Sequence, residues 1–207
     1  MGNSKNPSEE WNKRDLKTAC VCRLGAFGDC IQITPIFKEL KRQGYHVTFY
    51  CKPGGRDIVR HDPNIDNFVM HDESVTLPDL NKYLDEHISK NYDYFVNLGG
   101  IVEAGLLKLE GTVEFNWSHE WRHRAFNKNY SDALMEKAGL DIRGQNPELH
   151  FTPLENSLAK KLRAKYRNKF LILWSLSGSS FHKTYPFAEY VGEALYKHKD
   201  IEILTVG

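Results

Sequence analysis

The segment Thr18-Ala-Cys-Val-Cys-Arg-Leu24, followed directly by Gly25-Ala-Phe-Gly-Asp29, decides the fold class. The first part reads as a buried strand, the second is a glycine turn, and a helix is predicted from about 29 to 43. Pro35 within that helix predicts a kink or a late start, because proline lacks the N–H that a helix interior needs.

The same alternation of strand-like and helix-like segments continues along the chain. Further strands are predicted at 45–51, 68–71, 92–98, 113–116, 170–174 and 201–206, and further helices at 55–61, 77–90, 102–109, 131–139, 154–167 and 187–198. The basic and aromatic stretch 117–130 is predicted to be the least regular part. This alternation is typical of an α/β fold in which helices cover a parallel sheet.

A domain boundary is predicted in the proline-flanked segment 146–153, because a complete βα series ends there and a new one begins. We expect one Rossmann-like domain over 18–148 and the start of a second over 149–207. About 55 residues do not close a doubly wound sheet, so we expect the second domain to be incomplete and the chain truncated.

Composition restricts the possible partners and location. The chain has 28 Lys and Arg against 27 Asp and Glu among 207 residues, so no global charge attracts nucleic acid. It lacks an apolar run of 18 residues and begins with a polar segment, which predicts a cytoplasmic location. The four cysteines, Cys20, Cys22, Cys30 and Cys51, lack zinc-ribbon spacing and are expected to be reduced structural thiols.

Asp29 is the candidate catalytic residue. It follows the glycine turn after the first strand, where an open parallel sheet places ligands at the carboxyl ends of its strands. The turn is not G-x-G-x-x-G, and a carboxylate at the start of a helix repels an anion, so a general base is favoured over a phosphate cradle. The alternative is that Asp29 is a helix N-cap.

The loop Ser175-Leu-Ser-Gly-Ser-Ser-Phe-His-Lys183 is a candidate phosphate site between a buried strand and a helix. Its hydroxyls, backbone N–H groups and lysine can converge on one anion, although it is not a Walker motif. The candidate donor-binding residues are Ser177, Gly178, Ser179, Ser180 and Lys183. The alternative is a flexible serine loop with a solvated lysine.

Three arginines, Arg56, Arg60 and Arg122, are candidates for binding an anionic acceptor, because guanidinium groups bind phosphate and carboxylate bidentately. Taken singly, they are also expected on any solvated surface.

The motif His119-Glu-Trp-Arg-His123 matches H-E-x-x-H, in which two histidines one helical turn apart bind zinc. Because the further histidine of extended zinc motifs is missing, a metalloprotease is a remote alternative and no metal is expected.

Five segments, in order, resemble one family of enzymes. They are CRLGAFGDCIQITPIFKELK at 22–41, RHDPNIDNFV at 60–69, NYDYFVNLGGIVEAG at 91–105, ILWSLSGSSFHKTYPFAEYVGEAL at 172–195 and IEILTVG at 201–207. Together they resemble the ADP-heptose:lipopolysaccharide heptosyltransferases of glycosyltransferase family nine. The resemblance covers almost the whole chain, and Tyr185 stands where the family usually has tryptophan.

The resemblance implies a glycosyltransferase B type fold and an inverting, metal-independent transfer of a heptose-like sugar. It implies that Asp29 takes the proton from an acceptor hydroxyl, and that Lys183, Ser179 and Ser180 hold the donor diphosphate. The expected donor is a nucleotide sugar similar to ADP-heptose, with no further cofactor. The expected acceptor is an anionic glycan or glycolipid of the lipopolysaccharide type, which allows a peripheral contact with the inner membrane.

Two other functions remain as alternatives. One is a truncated, non-catalytic remnant whose first domain only binds an anionic glycan. The other is an epimerase or dehydrogenase acting on sugar nucleotides, which requires a dinucleotide fingerprint that Gly25-Ala-Phe-Gly-Asp29 does not supply.

Overall fold

The structure, a computed structural model, describes residues 16–76, 78–100, 108, 110, 113–175 and 184–206. The chain divides into two compact units, Met1–His150 and Phe151–Gly207. The sequence predicts the division between residues 148 and 149. The assignment of the first unit to the acceptor and of the second to the nucleotide sugar stays a prediction.

The first unit is built on a four-stranded parallel sheet. Its strands are β1 (Thr18–Cys22), β2 (His46–Cys51), β3 (Asn67–Met70) and β4 (Tyr94–Asn97), in the order β3-β2-β1-β4. Successive strands are added on one side of β1 as far as β3, and β4 then pairs on its other side. The strand order therefore reverses between β1 and β4, which is where open α/β sheets bind ligands at the carboxyl ends of their strands.

Helices cover both faces of this sheet. The α-helices of the unit are α1 (Phe27–Gln32), α2 (Thr34–Arg42), α3 (Pro53–Val59), α4 (Leu80–Tyr83), α5 (His119–Phe126) and α6 (Tyr130–Lys137). Because side chains alternate along a strand, Ala19 and Val21 pack in one apolar cluster with α1, α2 and α6. Cys20 and Cys22 pack on the opposite face with Leu84, in the π-helical turn Leu84–Ile88 that continues α4.

The interruption predicted at Pro35 is confirmed. Helix α1 ends at Gln32 and α2 begins at Thr34, with Ile33 between them and Pro35 in the first turn of the second helix. Proline is tolerated there because the first N–H groups of a helix have no partner within it. The break keeps α1 short, so that it lies beside the end of β1.

Two predictions for the segment after β4 are wrong. Val113–Asn116 forms a 3-10 helix rather than a strand, and α5 lies in the stretch predicted to be least regular. Helix α5 has a side-chain cap, since Ser118 Oγ accepts a hydrogen bond from the Trp121 N–H at 3.2 Å. The helix predicted at 102–109 falls mainly outside the described residues.

The second unit contains the predicted helix and β-α-β series. Its elements are α7 (Pro153–Lys165), β5 (Phe170–Ser175), α8 (Ala188–Tyr196) and β6 (Ile201–Val206). Strands β5 and β6 pair in parallel. A capping box starts α7, in which Thr152 and Glu155 satisfy each other's backbone N–H groups at 2.7 and 3.1 Å.

All four cysteines are buried and unpaired by disulfides in the structure, and their role as reduced structural thiols stays a prediction. Burial raises the pKa of Cys22 to about 12 and that of Cys30 to about 11, so these thiols stay protonated at neutral pH. Among the residues that the structure describes, no helix is both long enough and apolar enough to cross a bilayer. The cytoplasmic location stays a prediction.

Candidate functional site

Asp29 lies in the first turn of α1, just beyond the carboxyl end of β1. Its Oδ1 accepts a hydrogen bond from Arg23 Nη2 at 2.6 Å, and its Oδ2 accepts one from the Ala26 N–H at 2.8 Å. Ala26 is the N-cap of the helix, and the Asp29 side chain accepts its N–H in a capping box, so the carboxylate does satisfy an N–H group at the helix start, as the N-cap alternative requires. The Asp29 side chain remains 29% exposed, so an oriented carboxylate faces solvent beside the point where the strand order reverses.

Arg23 holds this carboxylate from inside the protein. Its side chain is only 4% exposed, and its guanidinium also donates to the carbonyl of Leu98 and to the hydroxyl of Tyr130, the latter at 2.6 Å. Leu98 in turn donates its N–H to the Cys22 carbonyl at 2.9 Å. The guanidinium therefore joins the turn after β1, the end of β4 and the start of α6.

The glycine at the start of the turn makes room for the carboxylate. A Cβ on Gly25 would lie 2.4 Å from Asp29 Oδ2 and 2.5 Å from Asp29 Cβ, which is too close for any real contact. A Cβ on Gly54, in the first turn of α3, would lie 2.9 Å from the Phe27 ring. Glycine is thus required at position 25, whereas at position 54 the exposed Phe27 ring would have to move aside.

A second glycine turn follows β4 on the other side of the strand reversal. Gly100 has a φ of +66°, which favours glycine, and Gly99 donates its N–H to Asn97 Oδ1 at 3.0 Å. Arg23 bonds both Leu98, at the start of this turn, and Asp29. The two turns are therefore adjacent, and together they border the site.

The predicted donor-binding residues, Ser177, Gly178, Ser179, Ser180 and Lys183, lie outside the described residues. Their role stays a prediction. In the sequence they follow β5 and precede α8.

Arg56 lies within α3, and Arg60 follows it as the C-cap residue of that helix. Arg56 is exposed on α3 and lines a groove of about 280 Å³ together with residues of the β3 segment, namely Asp66, Asn67, Phe68 and Met70. Arg60, at the end of α3, donates to His61 Nε2 at 3.0 Å. Helix α3, which carries Arg56, packs against α1, which carries Asp29, but no contact between Arg56 and Asp29 themselves is among those of the described residues.

The Arg122 side chain is buried and bound to backbone carbonyls. It is 5% exposed, and its guanidinium donates to the carbonyls of Glu114, Phe115 and Trp117, the last two at 2.7 and 3.2 Å. These bonds fix the 3-10 helix against α5. Its predicted contact with the acceptor is not tested, and the geometry favours a role in holding this segment together.

We expect Arg122→Ala to lower the free energy of unfolding by about 2 kcal/mol, because three partly buried carbonyls lose a charged donor. The exposed Arg56→Ala is the matched control and should stay within about 0.5 kcal/mol of the parent. Urea denaturation of the three proteins measures this difference. Equal stability of the two variants would contradict the structural role of Arg122.

The H-E-x-x-H residues do lie on one helix, α5, with the rings of His119 and His123 4.2 Å apart. Within the described parts of the chain, however, no group of three or more His, Cys, Asp or Glu side chains is arranged to hold a metal. The pKa of Glu120 is lowered by hydrogen bonds from its own backbone and from Ser118, both at the helix start. The geometry therefore gives no support to the metalloprotease alternative.

Arg23 and Tyr130 are the site residues that sequence reasoning missed. Arg23 is part of the quoted segment, but a charged residue that ends an apolar strand also suits a solvated strand end. Its hydrogen bond to Tyr130 joins positions 107 residues apart. The one local signal is the spacing of six residues between Arg23 and Asp29, across a glycine turn that folds back on itself.

Comparison with known proteins gives matches at the level of structure. No protein-family model matches the chain, and no curated protein matches its sequence. Solved structures match over nearly its whole length.

Three solved proteins illustrate the likeness. A glycosyl transferase of family 9 from Veillonella parvula has a TM-score of 0.60 at 16% identity, and covers 93% of this chain with 63% of its own. ADP-heptose lipopolysaccharide heptosyltransferase II of E. coli has a TM-score of 0.56 at 14% identity, with 93% and 64% covered. The iron-containing dodecameric glycosyltransferase TibC of enterotoxigenic E. coli has a TM-score of 0.53 at 11% identity, with 93% and 42% covered.

TibC has also been solved in complex with ADP-D-β-D-heptose. The chain spans slightly less than two thirds of the length of the first two proteins. At these identities the likeness concerns the fold, and it confirms at that level the resemblance predicted from the sequence. The chain therefore has an α/β fold with a parallel sheet that it shares with family 9 glycosyltransferases and ADP-heptose heptosyltransferases.

Proposed function

We propose that this chain is a glycosyltransferase that moves a heptose-like sugar from a nucleotide-sugar donor to an anionic cell-envelope glycan or glycolipid. One observation carries the proposal. A partly exposed carboxylate, Asp29, is held in a fixed orientation beside the strand reversal of a fold shared with family 9 glycosyltransferases. This is the position in which an acceptor hydroxyl would meet a general base.

The reaction we propose is a single inverting displacement. Asp29 accepts the proton of the acceptor hydroxyl while that oxygen forms a bond to the anomeric carbon and the bond to the donor phosphate breaks. Each carboxylate oxygen has two lone pairs and uses one in the described contacts, so each can accept a further hydrogen bond. The carboxylate can therefore take the proton without giving up Arg23 or Ala26.

The leaving diphosphate needs positive charge and N–H donors as its negative charge grows. We assign this role to Lys183 and the loop residues Ser177, Gly178, Ser179 and Ser180, on the strength of their order in the sequence. The complex of TibC with ADP-D-β-D-heptose supports a nucleotide sugar of this type as the donor. Because lysine and backbone donors can stabilise the diphosphate, the proposal requires no metal.

For the acceptor we retain Arg56 and Arg60, which lie on the same unit as Asp29. Arg56 is exposed at the end of a groove, and it is free of the backbone contacts that occupy Arg122. An anionic group bound there would lie beside α3, the helix that packs against α1 and its Asp29, so an acceptor held by Arg56 would extend from one helix to its neighbour to reach the base.

Transfer to a lipopolysaccharide core acceptor tests this function. The protein is incubated with ADP-heptose and the acceptor in EDTA, and the product is analysed by mass spectrometry. We expect an added heptose and released ADP. Glycan binding without transfer would favour the non-catalytic alternative, and transfer that requires added metal would contradict the proposed mechanism.

A further inference from the structure

Arg23 has a contact set that goes beyond neutralising a carboxylate. One nitrogen, Nη2, donates both to Asp29 Oδ1 and to the Tyr130 hydroxyl, each at 2.6 Å, while Nη1 donates to the Leu98 carbonyl. The planar guanidinium is thereby fixed by three acceptors from three different elements. A lysine ammonium is a point charge without this fixed fork and cannot reproduce the arrangement.

We propose that Arg23 is the positioning residue for the base Asp29, and that Tyr130 is the anchor that fixes Arg23. The proposal rests on the proposed function, since it assigns residues to the orientation of the same base. Arg23 is buried behind the carboxylate and acts on the reaction only through Asp29.

The position of Tyr130 is itself determined by contacts at the start of α6. The adjacent Ser131 donates its hydroxyl to Gln32 Oε1 at 2.6 Å, at the end of α1. Asn129 caps α6 by accepting the Ser131 N–H at 2.9 Å. The start of α6 is thus attached to both ends of the helix that carries the base, through Gln32 at one end and through Arg23 and Asp29 at the other.

A structural readout of the base is available in the chain as it stands. The Ala26 N–H donates to Asp29 Oδ2 at 2.8 Å, so its exchange with solvent reports whether the carboxylate is held in place. We expect Tyr130→Phe and Arg23→Lys to accelerate Ala26 amide exchange about tenfold or more, measured by NMR, because the carboxylate can then rotate.

Tyr94→Phe is the matched control. Tyr94 is also half-buried, and its hydroxyl donates to the Ala138 carbonyl at the opposite end of α6, so it shares any general loosening of this helix. We expect its Ala26 exchange to stay within about twofold of the parent. Unchanged Ala26 exchange in Arg23→Lys overturns the positioning role of Arg23. Unchanged Ala26 exchange in Tyr130→Phe overturns the anchoring role of Tyr130. Because Tyr130→Phe removes one hydroxyl and leaves the packing of the ring, this variant should fold even where Arg23→Lys does not.

Measurement of turnover completes the test. We expect Arg23→Lys to lower kcat about tenfold or more with the donor KM little changed, because a misoriented base affects the chemical step and not donor binding. A rise in donor KM at constant kcat would contradict positioning. If the parent protein transfers no sugar at all, the proposed function fails, whereas the Ala26 measurement still decides whether Arg23 and Tyr130 orient Asp29.

Discussion

Asp29→Asn is expected to lower the rate of sugar transfer by ~10²–10⁴, the range typical of the loss of a general base. Asparagine keeps the shape of the side chain, and its oxygen can still accept a hydrogen bond from Arg23, but it cannot take a proton from the acceptor. Donor affinity should change little, because Asp29 lies in the first unit and the predicted donor loop in the second. Steady-state kcat and the dissociation constant of the donor measure the two effects separately.

The buried partner of Asp29 makes a stability control necessary. Neutralising the carboxylate leaves the guanidinium of Arg23, 4% exposed, without its opposite charge, and uncompensated buried charge is destabilising. The free energy of unfolding of Asp29→Asn must therefore be measured beside its rate. A folded variant with turnover within about twofold of the parent would show that Asp29 only stabilises the start of α1.

The parallel sheet was predictable from the sequence because its strands are bounded by glycine, proline and polar residues. Each of the strands β1, β2, β3 and β4 begins and ends within two residues of its predicted limits. Thr18–Cys22 has a continuous apolar run instead of an alternating pattern, as is typical of a parallel strand buried on both faces, and every residue after Thr18 is buried.

The segment after β4 was not predictable in the same way. Val113, Glu114 and Phe115 combine β-branched and aromatic residues that favour a strand, yet tertiary contacts decide otherwise. The carbonyls of this segment are bound by the side chain of Arg122, whose burial only the folded chain shows. The strand propensity of these residues could not show that the Arg122 side chain, and not a neighbouring strand, binds their carbonyls.

In the candidate site, too, some residues were predictable from the sequence and others were not. Asp29 was predictable because the glycine turn after a buried strand fixes its place at the edge of the sheet. Arg23 and Tyr130 were not, because their contact joins positions 107 residues apart, and no local pattern specifies it. The sequence thus predicts the group that would react, and the fold adds the groups that orient it.

Substitution by alanine should lower the transfer rate at Gly25 and leave it unchanged at Gly28. Gly25→Ala places a methyl group 2.4 Å from Asp29 Oδ2 and 2.5 Å from Asp29 Cβ, so the start of α1 and the carboxylate must both shift. A shift of about 1 Å in a catalytic group can lower a rate ~10²-fold, and we expect a loss of that size with the Asp29 charge retained.

Gly28→Ala is the control from the same turn. A Cβ on Gly28 meets nothing within 4 Å, and the residue is helical, so alanine should raise the free energy of unfolding by about 0.5–1 kcal/mol. Its transfer rate should equal that of the parent. Because the two variants add the same methyl group three residues apart, loss of turnover in Gly25→Ala alone would trace the activity to the position of the Asp29 carboxylate. Full activity in Gly25→Ala would mean that the carboxylate need not lie where the turn now holds it, and the assignment of Asp29 as the base would lose its geometric basis.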